Sequence, residues 1–299
     1  MAVPGAADAP SFKELERHGW GAKAGDYDAF AGQITIGAVD PLLDATSVGA
    51  GTRVLDVASG PGYVAAGAAA RGAQAIGVDF AANMVAEARH RFPGIDFREG
   101  DAENLTFDAG SFNVVTCGFG LLHIADPDKA IAEACRVLRP GGRYAFTVWM
   151  GPDRHDFFAI VLKAIEAHGN MQVSLPPAPP IFRFSDPGEC RDAMTRAGFI
   201  DAVVSELALR WRAPSVEAIL EFVHRSTVRT ALMLERQTPE ALERIHGAIR
   251  QGAQRFARDE LITSRGRRRS PRDASRTRYV PDPIYASRCP AVEMPSLQV

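Results

Sequence analysis

The chain has 299 residues, with 34 basic and 36 acidic side chains and a formal net charge of −2. At 46% hydrophobic and 23% charged it can bury a full core as one large domain or two small ones, which excludes a chain disordered throughout. The near-neutral balance gives no global attraction to nucleic acid or anionic membranes, and no apolar run approaches the roughly 20 residues that span a bilayer.

Residues 1–50 read as a polar entry followed by helix. Ser11 offers a cap, Phe12, Leu15, His18 and Trp20 fall at loosely helical spacing, and a second helical stretch runs from about Ile34 to Leu43. From Arg53 strand and helix alternate. Strands are predicted over Arg53–Ala58, Gln74–Phe80, Ile95–Arg98, Phe112–Cys117 and Arg143–Trp149. Helices are predicted over Pro61–Arg71, Ala81–Arg91 and Pro127–Leu138, stopped by Gly72, Pro93-Gly94 and Pro140-Gly141-Gly142. Single helices between strands imply right-handed crossovers, and near-continuous apolar strands imply burial on both faces. The fold class is α/β: a doubly wound, mostly parallel sheet with helical additions at the N-terminus and in the C-terminal third.

After Met150 the rhythm changes. A helix over Phe157–His168 precedes a proline-rich, extended Met171–Phe184. Then come a helix over Pro187–Ala197, a long strand candidate over Phe199–Arg212, and helices over about Ser215–Glu235 and Pro239–Arg258. The N-terminus lacks the charged start and apolar core of a signal peptide, and Cys117, Cys135, Cys190 and Cys289 form no Cys-x-x-Cys pair. The expectation is a cytoplasmic protein with no metal site and no disulfide framework.

The chemistry concentrates at the strand ends. Asp56-Val57-Ala58-Ser59-Gly60-Pro61-Gly62 closes the first strand and opens a helix, the place where open α/β sheets bind ligands. Two ligand classes fit. Gly60-Pro61-Gly62-Tyr63-Val64-Ala65 satisfies the letters of a dinucleotide loop, but Pro61 lacks the N–H that a pyrophosphate wants at a helix N-terminus. S-adenosylmethionine carries a cationic amino-acid end and no phosphate, and Asp56 supplies the matching acid. Asp79, 23 residues on, can take both hydroxyls of a ribose in either class. Gly100-Asp101-Ala102-Glu103 can read an adenine edge, and the backbone of Cys117-Gly118-Phe119-Gly120 can line the methionine portion.

With VLDVASGPG, IGVDFAANM, FREGDAENLTF, FNVVTCGFGLLHIADP and RVLRPGGRYAFTVW in this order, the chain resembles the class I S-adenosylmethionine-dependent methyltransferases. It looks most like the small-molecule branch that includes the ubiquinone and menaquinone biosynthesis enzymes. The resemblance is strong over Arg53–Trp149 and looser over 20–50 and 150–258. It implies that Asp56, Ala58, Ser59, Gly60 and Gly62 cradle the methionine end and that Asp79 binds the ribose. Phe80 and Met84 would flank the adenine, Asp101 and Ala102 would contact its edge, Cys117 would line the floor and Tyr27 would close over the cofactor. The first glycine of the family's loop is Ala58 here, tolerable if its φ is negative.

The implied reaction is in-line methyl transfer from S-adenosylmethionine to an O, N or C nucleophile of a small molecule, leaving S-adenosylhomocysteine. A base is needed only where the acceptor must lose a proton, and His123 is the candidate. Blander readings stand beside these: His123 as a capping or core residue, Met84 as core, Cys117 as a packed thiol. His155 is a weaker candidate base. Ile181, Phe182 and Phe184 in the proline-rich segment suggest a lid over an apolar acceptor, or an inert connector. Competing functions are a damaged, non-catalytic member of the fold and an NAD(P)-dependent oxidoreductase. A nucleic-acid substrate is disfavoured, and monomer and homodimer both stay open.

The expected organisation is a helical cap over 1–50, a cofactor-binding core over 51–150, and substrate-pocket helices completing the sheet over 151–259. A basic tail covers 260–299. That tail holds eight arginines against four acids, +4, leaving −6 on the body. It matches neither the family nor a strand period, so a coding frame lost near Asp259, a natural divergent terminus and a partner-binding tail are three readings of it. The first predicts a sheet lacking its last strand unless Ala291–Val299 replaces it.

Overall fold

The computed structural model describes residues 10–207, 209–211, 213–254, 261–262 and 282–290. Helix α1 (Phe12–Lys23) starts at a capping box: Ser11 Oγ accepts from the Glu14 N–H at 3.3 Å, and Glu14 Oε2 accepts from the Ser11 N–H at 2.8 Å. The second predicted helix is broken into α2 (Gly32–Thr35), a 3-10 turn and α3 (Val39–Ala45). Gly37 lies in that turn, where a Cβ would come 3.0 Å from Leu209 Cδ2 in the C-terminal third. Close packing there outweighs continuous helix.

The predicted crossovers follow in order: β1 (Arg53–Val57), α4 (Tyr63–Ala70), β2 (Gln74–Asp79), α5 (Ala82–Arg91), β3 (Asp96–Glu99), β4 (Phe112–Gly118) and α6 (Pro127–Val137). β1 lies between β2 and β4, with Leu55 opposite Ile76 on one side and Val115 on the other. Its successive side chains serve two cores: Val54 packs with Leu43 and Ala68, Leu55 with Val115 and Ile131. Both are fully buried, and each such side chain contributes roughly 1.5–3 kcal/mol.

β5 (Leu138–Thr147) begins five residues before the predicted strand, because Leu138 pairs with Phe112 and the chain then bulges through Pro140-Gly141-Gly142 before Arg143 meets Val114. Gly141 takes φ +75° in that bulge. After α7 (Asp156–His168) and α8 (Pro187–Arg196), the predicted long strand divides into β6 (Ile200–Leu207) and β7 (Arg210–Trp211). The helix predicted over Ser215–Glu235 divides into α9 (Glu217–Ser226) and α10 (Arg229–Glu235), and α11 (Pro239–Gln254) follows. The break at 227–228 turns the chain over the cavity described below.

The tail requires a correction. β8 (Leu261–Ile262) pairs with β7, and β9 (Asp282–Arg288) inserts antiparallel between β5 and β6, giving the order β3-β2-β1-β4-β5-β9-β6. The sheet therefore has its last strand, and Asp282–Arg288 supplies it rather than Ala291–Val299, which lies outside the described residues. Ile284 and Tyr285 are both buried, and Tyr285 stacks on Phe146 of β5 with centroids 5.0 Å apart. Consecutive buried residues suit a strand covered on both faces, where a period-two pattern has no reason to appear. The arginine-rich stretch between β8 and β9 lies outside the described residues. Among the described residues no helix is long and apolar enough to cross a membrane, and no cluster of three metal-binding side chains occurs.

Candidate functional site

The carboxyl ends of β1, β2 and β4 meet at one mouth, which α1 to α3, α7, α9 and α10 extend into a cavity of about 1530 Å3 including its opening. Two halves differ in chemistry. One is acidic and loop-built; the other is aromatic and built mainly on helices.

In the loop half, Asp56 is buried at the end of β1. Its Oδ1 accepts from Thr116 Oγ1 at 2.9 Å and its Oδ2 from the Ala65 N–H at 3.2 Å. Burial pushes its pKa up to about 7 against the pull of these donors. Asp79 accepts from the Gly60 N–H at 2.8 Å and the Ala81 N–H at 2.9 Å, and burial pushes it up to about 6. Two buried carboxylates face the cavity with no cation bonded to either among the described residues. Ser59 Oγ is buried beside them without a hydrogen-bond partner. An acidic floor with an unfilled hydroxyl fits a ligand carrying an ammonium and vicinal hydroxyls, which are the groups S-adenosylmethionine presents.

The loop backbone departs from expectation at Ala58. Its φ is +52°, so alanine occupies a left-handed position that glycine would take without strain. Gly60, at φ +51°, has open space where a Cβ would stand, so a ligand can approach it closely while its N–H stays bonded to Asp79. Gly62 lies outside the cavity lining, because its Cα faces inward: a Cβ there would come 2.5 Å from Phe97 Cζ. Its role in this structure is to let α4 start against β3.

Of the other sequence candidates, Tyr27, Phe80, Met84 and His123 line the cavity. Tyr27 hydroxyl and Thr35 Oγ1 lie 3.1 Å apart, and burial pushes the phenol up to about 12. Cys117, Asp101 and Ala102 do not reach the cavity lining. Cys117 is a core thiol that burial pushes up to about 12. Burial would raise the Asp101 carboxyl, but Lys13 Nζ at 2.8 Å, the Glu103 N–H and the charge of Lys129 together outweigh it and hold the pKa below the usual carboxylate value. Lys13 also bonds Glu103 at 2.7 Å, so this pair ties α1 to the loop after β3.

One functional feature was not anticipated. Glu16 of α1 is 1% exposed, and its Oε2 accepts from Trp20 Nε1 at 3.1 Å and lies 2.8 Å from His123 Nδ1. With the carboxylate accepting, Nδ1 carries the proton and Nε2 is left with a lone pair. Trp20 packs edge-on to the imidazole at 4.7 Å. A signal was present in the sequence: Glu16 sits four residues after Phe12 and four before Trp20, inside the apolar stripe.

The aromatic half is formed by Phe119, Trp149, Phe157, Phe158, Trp211 and Phe222. Phe119, at φ +56°, stacks on Trp149 with centroids 4.1 Å apart, while its N–H bonds Thr147 Oγ1 at 3.0 Å. The proline-rich segment enters only in part. Ile181 lines the cavity and Phe182 packs on Phe158 at 5.1 Å. Phe184 is instead buried in the core beneath the sheet.

A methyltransferase-domain family model matches residues 55–146. The chain is 37% identical over 141 residues to the demethylmenaquinone methyltransferase of Renibacterium salmoninarum, covering 46% of this chain and 60% of that protein. It spans between about two-fifths and three-fifths of the first demethylmenaquinone methyltransferases it matches. It is 34% identical over 226 residues to nocamycin O-methyltransferase of Saccharothrix syringae, covering 69% of this chain and 80% of that protein. Haemonchus contortus phosphoethanolamine N-methyltransferase 2, solved with phosphomonomethylethanolamine and S-adenosylhomocysteine, shares the fold: TM-score 0.54 and 20% identity over 94% of this chain and 61% of that one.

Proposed function

The chain belongs to the class I S-adenosylmethionine-dependent methyltransferases, and from that membership we propose that it methylates a hydroxyl of a small, largely apolar acceptor. The observation that carries the oxygen acceptor is the pair of buried Glu16 and half-buried His123 at the cavity wall, with His123 Nδ1 2.8 Å from Glu16 Oε2. The identity to an O-methyltransferase over most of that protein's length supports the same choice.

When bound, S-adenosylmethionine supplies a methyl already activated by its sulfonium. The protein's own residues do the rest. Asp56 would hold the ammonium end and Asp79 the ribose, with Ser59 and the Gly60 backbone completing the cradle. Glu16 fixes the tautomer and tilt of His123, whose Nε2 takes the proton from the acceptor hydroxyl as the oxygen is alkylated. The aromatic half excludes water and aligns the acceptor, which is the larger share of catalysis when the leaving group is already good.

The test is calorimetry with S-adenosylhomocysteine, followed by transfer of labelled methyl from S-adenosylmethionine to phenol, catechol, hydroquinone and amine acceptors. Binding together with methyl-ether products supports the reading. Absence of S-adenosylhomocysteine binding, or products methylated only at nitrogen or carbon, overturns it.

A further inference from the structure

His155 precedes α7 on the aromatic side of the cavity and is 3% exposed. Neither ring nitrogen has a hydrogen-bond partner. Its neighbours are rings: Phe158 with centroids 4.6 Å away, Trp149 at 5.8 Å edge-on and Phe157 at 6.3 Å. A buried donor and a buried acceptor left unpaired carry a full desolvation penalty, and folded proteins rarely leave both on one side chain. Such a residue at a cavity wall marks a place where the missing partner arrives with a ligand.

The chemistry of that ligand follows from the surroundings. Burial drives the imidazole pKa down to about 3, so near neutral pH the ring presents one N–H and one lone pair. It therefore complements an uncharged oxygen rather than a carboxylate or phosphate. Flat aromatic walls complement a flat ring.

We propose that His155 is a specificity-determining residue that hydrogen-bonds a ring oxygen of a planar, uncharged acceptor seated against Trp149 and Phe158. The assignment rests on the methyltransferase reading for the name "acceptor", but the subsite stands on His155 and its ring neighbours. His155 positions the acceptor, whereas proton removal belongs to His123 on the loop side.

The experiment uses the full chain and two probes of matched shape, 1-naphthol and 1-methylnaphthalene, titrated with and without S-adenosylhomocysteine. The protein should bind 1-naphthol about tenfold more tightly than 1-methylnaphthalene, the ratio one hydrogen bond to a buried group gives. The 15N resonances of the His155 ring should move with 1-naphthol and stay with 1-methylnaphthalene. In H155F the ratio should fall to near one with S-adenosylhomocysteine affinity unchanged, and H155Q should keep part of the preference. A wild-type ratio near one, or still His155 resonances on 1-naphthol binding, overturns the proposal without needing a variant that folds. An intact ratio in H155F overturns it as well. Failure of S-adenosylhomocysteine to bind sinks the methyltransferase reading and leaves the naphthol comparison to decide the subsite separately.

Discussion

The two halves of the cavity solve different problems and are written differently in the chain. The loop half gathers Asp56, Ser59, Gly60 and Asp79 from two strand ends, and what it offers a ligand is charge and backbone shape. The aromatic half takes Phe119 and Trp149 from loops and Phe157, Phe158 and Phe222 from helices, joined by tertiary packing. Charge held in a buried loop destabilises the free protein, while rings in a buried wall stabilise it. Cofactor affinity should therefore trade against stability in the first half and run with it in the second.

Asp56→Asn tests that trade most severely. It removes a buried charge that burial alone disfavours, at the expense of one well-made acceptor toward the Ala65 N–H. The free protein should melt no lower than wild type at pH 8, while S-adenosylhomocysteine affinity falls roughly 100-fold, as the loss of a buried charge-assisted contact implies. In Phe222→Ala the reverse should hold: a loss of about 3 kcal/mol or more in stability with little change in cofactor affinity. Denaturant melts and calorimetry on both variants would break the comparison if both properties fell together in each.

His123→Ala comes next. Turnover should drop by about 100-fold or more with S-adenosylhomocysteine affinity within roughly threefold of wild type. Glu16→Gln should cost less, because it weakens the orientation of His123 without removing the base. Equal losses in S-adenosylhomocysteine affinity would place the pair in cofactor binding instead.

The acidic floor also predicts a pH dependence. Asp56 and Asp79 are raised to about 7 and about 6 in the folded protein, above the ordinary carboxylate value, so the native state holds more protons than the unfolded state from about pH 4 to 7. Their stabilising contribution is fully present below the unfolded pKa and is lost as pH rises through the folded values. The total is on the order of a few kcal/mol. A cationic ligand that holds Asp56 ionised must then release protons on binding below pH 7. Calorimetry at pH 6 in buffers of different ionisation enthalpy reads this directly, and no proton release would show that the ammonium is held elsewhere.

Legibility followed the same division. The place of Asp56, Gly60 and Asp79 at the cavity is legible because open α/β sheets gather such residues at their strand ends in short contiguous stretches. Gly62 was read as a ligand contact, but its left-handed φ serves packing against Phe97, a residue that comes 35 positions later. Cys117 and Asp101 follow the strand-end pattern yet do not line the cavity, a difference that position along the chain cannot express. Trp211 and Phe222 carry only core patterning, and which core surface stays open is decided by how α9 breaks before α10. β9 was hidden because its burial on both faces removes the alternation that would have revealed it.

The smallest effect is the most local. Ala58 at φ +52° costs roughly 1–2 kcal/mol relative to glycine, but glycine also loosens the unfolded chain by about 0.4–1 kcal/mol. Ala58→Gly should therefore stabilise by between about 0 and 1.6 kcal/mol, a rise of a few degrees in Tm at most. A second residue shows whether strain is the cause. A Cβ on Gly120 would come 2.5 Å from Ala58 Cβ and 2.7 Å from Cys117 Sγ, so the alanine methyl is tolerated only because position 120 has none. Gly120→Ala alone should be strongly destabilising. In the Ala58→Gly background one of its two clashes disappears, so the pair should couple favourably by more than 0.5 kcal/mol. Additive effects would mean that the loop relaxes away from the Ala58 methyl when position 120 gains its own.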